Sequence, residues 1–215
     1  MALLHDLPLD ENLALPESAA GYPTSADVLV AQYESVSFEQ AHRAVLHYLT
    51  LPPTRVADLG AGSGRDAAAL AGRGHDVYAV EPVPQMRDAA QLLHADAGVT
   101  WLDDTLPELD TLTLEAEQSG EFGLILASAV WMHLDSAERA LGLRRVTRLL
   151  SPEGRLVLTL RHGPAPRGRR VHDVAPVEVM IAAADCGLEL AHFSHVADAL
   201  GRRDVSWTNL VLERA

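Results

Sequence analysis

Val56-Ala57-Asp58-Leu59-Gly60-Ala61-Gly62-Ser63-Gly64-Arg65-Asp66 places a carboxylate two residues ahead of three alternating glycines. A second carboxylate, Glu81, ends the next apolar run. Glycine lacks Cβ bulk and reaches positive φ, so a ligand can lie against the backbone of such a turn. A helix starting behind the turn leaves its first N–H groups unpaired. A carboxylate at the tip of the neighbouring strand suits the two hydroxyls of a ribose. Together these residues predict a nucleoside site within a βαβ unit.

Two ligands compete for that site. Gly62-Ser63-Gly64-Arg65-Asp66-Ala67 fits G-x-G-x-x-A, a dinucleotide fingerprint. Asp58 argues against it, because a carboxylate at the mouth of the turn repels a pyrophosphate and attracts an ammonium group. Asp58-x-Gly60-x-Gly62-x-Gly64 followed by Glu81 resembles motif I and the acidic loop of the class I S-adenosylmethionine-dependent methyltransferases. The resemblance spans roughly residues 40 to 215. It implies an α/β fold: a doubly wound, Rossmann-like sheet of seven strands, mostly parallel, with an antiparallel C-terminal hairpin. It implies S-adenosylmethionine as cofactor and S-adenosylhomocysteine as product. It also assigns roles. Asp58 orients the amino end of the methionine moiety. Gly60, Ala61, Gly62 and Gly64 lie along methionine and ribose, and Glu81 accepts from both ribose hydroxyls. Pro82 and Met86 border the adenine. In the family an Asp after strand three accepts from the adenine amino group, and the next backbone N–H meets a ring nitrogen. In Trp101-Leu102-Asp103-Asp104-Thr105-Leu106-Pro107, Asp104 with Thr105 fits that pattern better than Asp103. A shift by one stays open, as does a helix-capping role for one of the two.

Phe122-Gly123-Leu124-Ile125-Leu126-Ala127-Ser128-Ala129-Val130-Trp131-Met132-His133-Leu134 resembles motif IV of the same family, with Gly123 where the family often has Asp. The resemblance puts Ala127 and Ser128 along the methionine moiety. It puts Trp131, Met132 and His133 near the transferring methyl. Methyl transfer from a sulfonium asks the protein to position a nucleophile and, for a protonated acceptor, to take its proton. His133 is the obvious base in this segment, and base and positioning residue stand as equal readings. Trp131 either stacks on a flat substrate or walls the core.

Arg161-His162-Gly163-Pro164-Ala165-Pro166-Arg167-Gly168-Arg169-Arg170 follows the fifth strand. One reading is an anchor for an anionic substrate, led by Arg161 with His162. The other is a solvated charge run that balances the acids of residues 96 to 121. Tyr33, Phe38 and His42 form either a lid over the substrate or core packing.

These residues need a scaffold that brings strand ends together. From Arg55 onward short apolar strands alternate with amphipathic helices, which predicts a parallel sheet covered on both faces. Strands are expected at Arg55–Asp58, His75–Val80, Val99–Leu102, Phe122–Ala127 and Arg155–Leu160. Helices are expected at Arg65–Ala71, Gln85–His94, Ser136–Leu149 and Pro176–Ala184, with Ser136 as an N-cap. Ser25 to Leu49 reads as a helix broken near Ser35 to Ser37 and stopped by Pro52-Pro53. Leu188–Val196 and Val205–Leu212 are joined too tightly for a crossover helix, so they pair antiparallel. Residues 1–54 are expected as an irregular arm and helical cap, and residues 55–215 as the core. Trp207 on the last strand is a candidate contact for a partner.

The 215 residues suit one domain. One cysteine, Cys186, rules out an internal disulfide and a cysteine-cluster metal site. The acidic start and the lack of a long apolar run predict a cytoplasmic protein. A net charge of −13 disfavours nucleic acid and anionic membranes as partners. All seventeen basic residues are Arg, so no Lys can act as a base or Schiff base. The charge is segregated: residues 96 to 121 hold eight acids and no Arg, and residues 139 to 170 hold nine Arg and one acid.

Several acceptors lack their residues. Base-amino methylation goes with an Asn/Asp-Pro-Pro-aromatic motif, absent here. Cytosine C5 chemistry needs a motif cysteine, and Lys-Asp-Lys-Glu ribose chemistry needs Lys. Catechol-type chemistry needs a metal held by carboxylates after strands four and five, where Asp135 stands alone. The expected activity is therefore metal-free methyl transfer to O, N or S of a small, possibly anionic molecule. The rivals are an RNA or protein methyltransferase using residues 161–170, a non-catalytic S-adenosylmethionine-binding module, and a nicotinamide oxidoreductase.

Overall fold

Seven strands form one sheet in the order β3-β2-β1-β4-β5-β7-β6. They are β1 (Arg55–Leu59), β2 (Asp76–Val80), β3 (Thr100–Leu102), β4 (Phe122–Ser128), β5 (Leu150–His162), β6 (Leu188–Ala197) and β7 (Ser206–Arg214). The computed structural model describes residues 26–50, 52–166 and 168–215. The arm expected over the first residues, Ser25, and Arg167 of the basic loop lie outside the described residues. β1 to β5 run parallel, and β7 runs antiparallel to both β5 and β6. This is the α/β architecture that the resemblance implied.

The apolar runs are nearly continuous because both faces of the sheet are covered. Successive residues serve opposite layers. Val56, Leu124 and Leu126 pack on one side with Leu49, Ala67 and Leu70. Ala57, Ile125 and Leu156 pack on the other with Leu143, Val146 and Leu149. Each such aliphatic side chain contributes about 1.5–3 kcal/mol on burial. β5 starts earlier than its apolar run suggests, because Leu150 pairs with Phe122 across an irregularity in register.

The N-terminal helical segment is three short pieces, α1 (Ala26–Glu34), α2 (Phe38–Ala41) and α3 (Leu46–Leu49). The break falls at Ser37, which caps α2 reciprocally with Gln40. α4 (Arg65–Ala71), α5 (Pro84–Leu93), α7 (Ser136–Leu149) and α8 (Pro176–Asp185) lie within one residue of the expected bounds. The N-cap of α7 is Asp135 rather than Ser136. Its Oδ1 accepts from the Glu138 N–H at 2.8 Å, and the Glu138 carboxylate accepts from the Asp135 N–H at 2.6 Å. One helix, α6 (Asp110–Ser119), has no counterpart in the sequence reading. Its leucines 112 and 114 stand two apart, a strand-like spacing. A remote carboxylate, Asp104, caps it by accepting from the Leu112 N–H at 2.9 Å. Among the described residues no helix is long and apolar enough to cross a membrane.

Candidate active site

Strand order reverses between β1 and β4, so a ligand is expected outside the carboxyl ends of the strands there. A cavity of about 770 Å³ opens at that edge, within the range of small-molecule sites. Gly60 and Gly62 line it with φ of 69° and 59°, whereas Gly64, with φ of 83°, is not among the lining residues and packs toward Trp101 and His94. All three lie in the left-handed region that glycine reaches without strain. A Cβ on Gly60 would also stand 2.8 Å from Val130 Cγ2. The Tyr33 ring, carried by α1, lies over Gly62.

Glu81 closes the turn. Its Oε2 accepts from the Gly62 N–H at 2.8 Å and its Oε1 from the Val83 N–H at 2.9 Å. Each oxygen keeps a second lone pair for a ligand hydroxyl. Burial raises the Glu81 carboxyl above its ordinary pKa. Asp58, at the end of β1, is buried, and its Oδ2 has no hydrogen-bond partner. Burial, together with the nearby charge of Asp66, pushes the Asp58 carboxyl well above the usual carboxylate range.

Asp66 lies in the same pocket of charge with the opposite outcome. Burial works against its ionised form, yet His42 Nε2 and Arg65 Nε each donate to it at 2.7 Å and hold it below the ordinary value. Asp66 is thus satisfied by the protein, and the Oδ2 of Asp58 is not.

The acceptor end lies beyond the tips of β4 and β5. Ser128, Ala129, Val130, Met132 and His133 line it after β4. Ala129 takes a left-handed φ of 58°, with its N–H bound to Thr159 Oγ1 at 2.9 Å. His133 is 6% exposed and donates from Nδ1 to the Arg170 carbonyl at 2.6 Å. That tautomer places the ring's lone pair on Nε2. Burial, with the cations Arg169 and Arg161 nearby, lowers the His133 pKa, so the ring is neutral at neutral pH. Arg161 lines the cavity and donates to the carbonyls of Gly163 and Pro164 at 3.3 and 2.8 Å. Arg169 lines it too and donates to Tyr33 Oη at 3.2 Å.

The remaining residues singled out in the sequence divide. Ala61, Pro82 and Thr105 line the cavity, as does Leu106 beside them. Asp103 faces Arg87 at 3.0 Å on the surface, and Asp104 accepts from the N–H groups of Thr105 and Leu112. Neither carboxylate is among the cavity's lining residues. Met86 packs with Ala26, Leu29 and Val83, while Ala127 and Trp131 belong to the sheet–helix core. His162 alternates away from Arg161 and shares a hydrogen bond with Thr208 at 2.9 Å. Phe38 is core, and His42 serves Asp66 rather than the cavity wall.

The sequence reading passed over the β6–β7 connection. Asp198, Arg202 and Trp207 line the cavity, so Trp207 faces the site. The i, i+4 spacing of Asp198 and Arg202 was the available signal.

A family model described as "Methyltransferase domain" matches residues 57–158. A protein of Mycobacterium tuberculosis described as an uncharacterized methyltransferase is 28% identical over 191 residues, covering 86% of this chain and 71% of that one. Residues 57–158 are a methyltransferase domain. Two solved structures share the fold. The N-methyltransferase NodS from Bradyrhizobium japonicum, in complex with S-adenosylhomocysteine, superposes with a TM-score of 0.68 at 16% identity, over 89% of this chain and 97% of that one. The 1,6-didemethyltoxoflavin-N1-methyltransferase of Burkholderia thailandensis does so with a TM-score of 0.63 at 23% identity, over 90% of each chain. This methyltransferase departs from the motif at Gly123 for a local reason. A Cβ there would run into the Thr54 side chain.

Proposed function

We propose that the protein binds S-adenosylmethionine at the glycine turn and transfers its methyl group to O, N or S of a small molecule. The observation that carries the reading is the buried, unpartnered Oδ2 of Asp58 beside a turn that Glu81 also shapes. An ammonium group satisfies Asp58, and a ribose diol satisfies the spare lone pairs of Glu81. A pyrophosphate satisfies neither.

When bound, S-adenosylmethionine supplies an electrophilic methyl on a sulfonium. The protein's own share is binding, orientation and proton handling. Asp58 fixes the amino end and Glu81 the ribose. The walls at Thr105 and Leu106 receive the adenine end. His133, neutral and with its Nε2 lone pair, accepts the proton that an O–H, N–H or S–H acceptor loses. No metal enters this reading: the side chains at the acceptor end are His133 and arginines, and Asp198 there is fully engaged by Arg202 and Trp207. The rival use of residues 161–170 as a macromolecular footprint is weakened by Arg170, which pairs with Asp135 and Glu138.

Calorimetric titration with S-adenosylhomocysteine, S-adenosylmethionine and NAD tests the reading. Micromolar binding of the first two and none of NAD is expected. Silence toward both sulfur nucleosides overturns it. His133→Ala is expected to lower kcat by about 10²–10⁴-fold while S-adenosylhomocysteine affinity stays within about twofold, since His133 is placed at the acceptor end. An unchanged kcat would remove His133 as the base.

A further inference from the structure

We infer that the acceptor end of the cavity takes a small organic oxyanion, a carboxylate or a phosphate ester, held by Arg161. The inference rests on the proposed function, because it concerns the acceptor of that same site.

The charge balance of the acceptor end carries it. Asp198 is the carboxylate on that side of the cavity, and its oxygens are consumed. They accept from the N–H groups of Leu200 and Arg202 at 3.1 and 3.2 Å, from Arg202 Nε and its terminal nitrogen at 2.9 and 2.7 Å, and from Trp207 Nε1 at 2.8 Å. Asp198 therefore neutralises Arg202 and has nothing left for a neighbour. Arg161 has no such partner. Its guanidinium donates to two neutral carbonyls, and among the described residues no carboxylate stands within ion-pair distance of it. Burial and repulsion from Arg202 lower its pKa against the opposing pull of Asp198 and Asp204, neither of which reaches ion-pair distance. Arg43 and Arg169 also line the cavity.

The carboxylates at the other end, Asp58 and Glu81, are committed to the nucleoside. Two of the acids of residues 96 to 121 pair with cations outside the basic loop, Asp103 with Arg87 and Asp110 with Arg145. A guanidinium fork presents parallel N–H donors that match a carboxylate or phosphate edge. Val36, Val130, Met132, Val171 and Val196 supply apolar wall for the organic body.

The test uses the full chain saturated with S-adenosylhomocysteine. Benzoate, 4-hydroxybenzoate, hexanoate and phenyl phosphate are titrated by calorimetry against benzamide, 4-hydroxybenzamide and hexanamide. At least one anion is expected to bind about tenfold or more tightly than the neutral compounds of its shape. The carboxylate and phosphate arms then tell which oxyanion the site prefers. Arg161→Gln should reduce that preference to about twofold or less, and Arg161→Lys should restore part of it. Retained S-adenosylhomocysteine binding reports that each variant folds. If no anion binds, or if the preference survives Arg161→Gln, the inference is overturned. If the unaltered protein does not bind S-adenosylhomocysteine, the proposed function itself fails, before any acceptor is added.

Discussion

Glu81→Ala weakens S-adenosylhomocysteine binding by about 100-fold or more. The substitution removes a charged acceptor from two ribose hydroxyls, and each such hydrogen bond is worth about 1.5–3 kcal/mol. It also leaves the Gly62 and Val83 N–H groups without the oxygens they now reach at 2.8 and 2.9 Å. The turn loosens at the place where the ligand must lie against it. Glu81→Gln, which keeps an acceptor and the length of the side chain, should fall between the two. Gly62→Val should reach the same loss by another route, since a β-branched residue cannot hold a φ of 59° without strain. Calorimetry on each variant decides. Unchanged affinity in both Glu81→Ala and Gly62→Val would remove the nucleoside from this turn.

Asp58→Asn separates stability from binding. The amide cannot carry the charge that pairs with the ligand's ammonium, so S-adenosylhomocysteine affinity should fall by at least about tenfold. The ligand-free protein should become more stable. The folded pKa of Asp58 lies above its unfolded value of 3.8, mainly through burial. Its favourable contribution is therefore full below that unfolded value and is lost as pH rises through the folded one. Asn removes this loss. A gain of at least about 2 °C in Tm is expected near neutral pH, the shift that about 1 kcal/mol produces in a chain of this size. A ligand-free variant no more stable than the parent would contradict the orphaned-carboxylate account.

The same linkage gives binding a pH dependence. Because the ammonium pairs with ionised Asp58, affinity should fall as pH drops through the folded pKa. Below that value, binding should release a proton. Heats measured in two buffers of different ionisation enthalpy would reveal it, and equal heats would deny it.

The backbone scaffold was legible because it is encoded in local pattern. Five apolar runs, two prolines at helix starts and a short terminal connection mark the strands, the helices and the antiparallel end without reference to any distant contact. The glycine turn and Glu81 were readable for the same reason: their chemistry is local. α6 was hidden because its leucines mimic strand spacing and its cap, Asp104, comes from outside the helix.

Side-chain direction was less legible than position. Arg161 and His162 are neighbours in sequence, yet alternation along β5 sends one to the cavity and the other to Thr208. Met86 and Trp131 sit on the expected elements and face the core. Asp198 and Trp207 meet only after the last two strands pair. Motif spacing alone could not bring them to the site.

β7 follows β6 in sequence but stands between β6 and β5 in the sheet. As the chain leaves the ribosome, β6 thus emerges before the strand it must pair with. Until β7 inserts, β5 and β6 each offer an unpaired edge, and β6 carries Leu190 and Phe193, which are solvent-exposed even in the finished fold. Such edges invite pairing with other nascent chains. β7 also carries Trp207 and Asn209 into the cavity. An incomplete chain therefore lacks part of the acceptor wall, and an acceptor can stabilise the fold only after that final insertion.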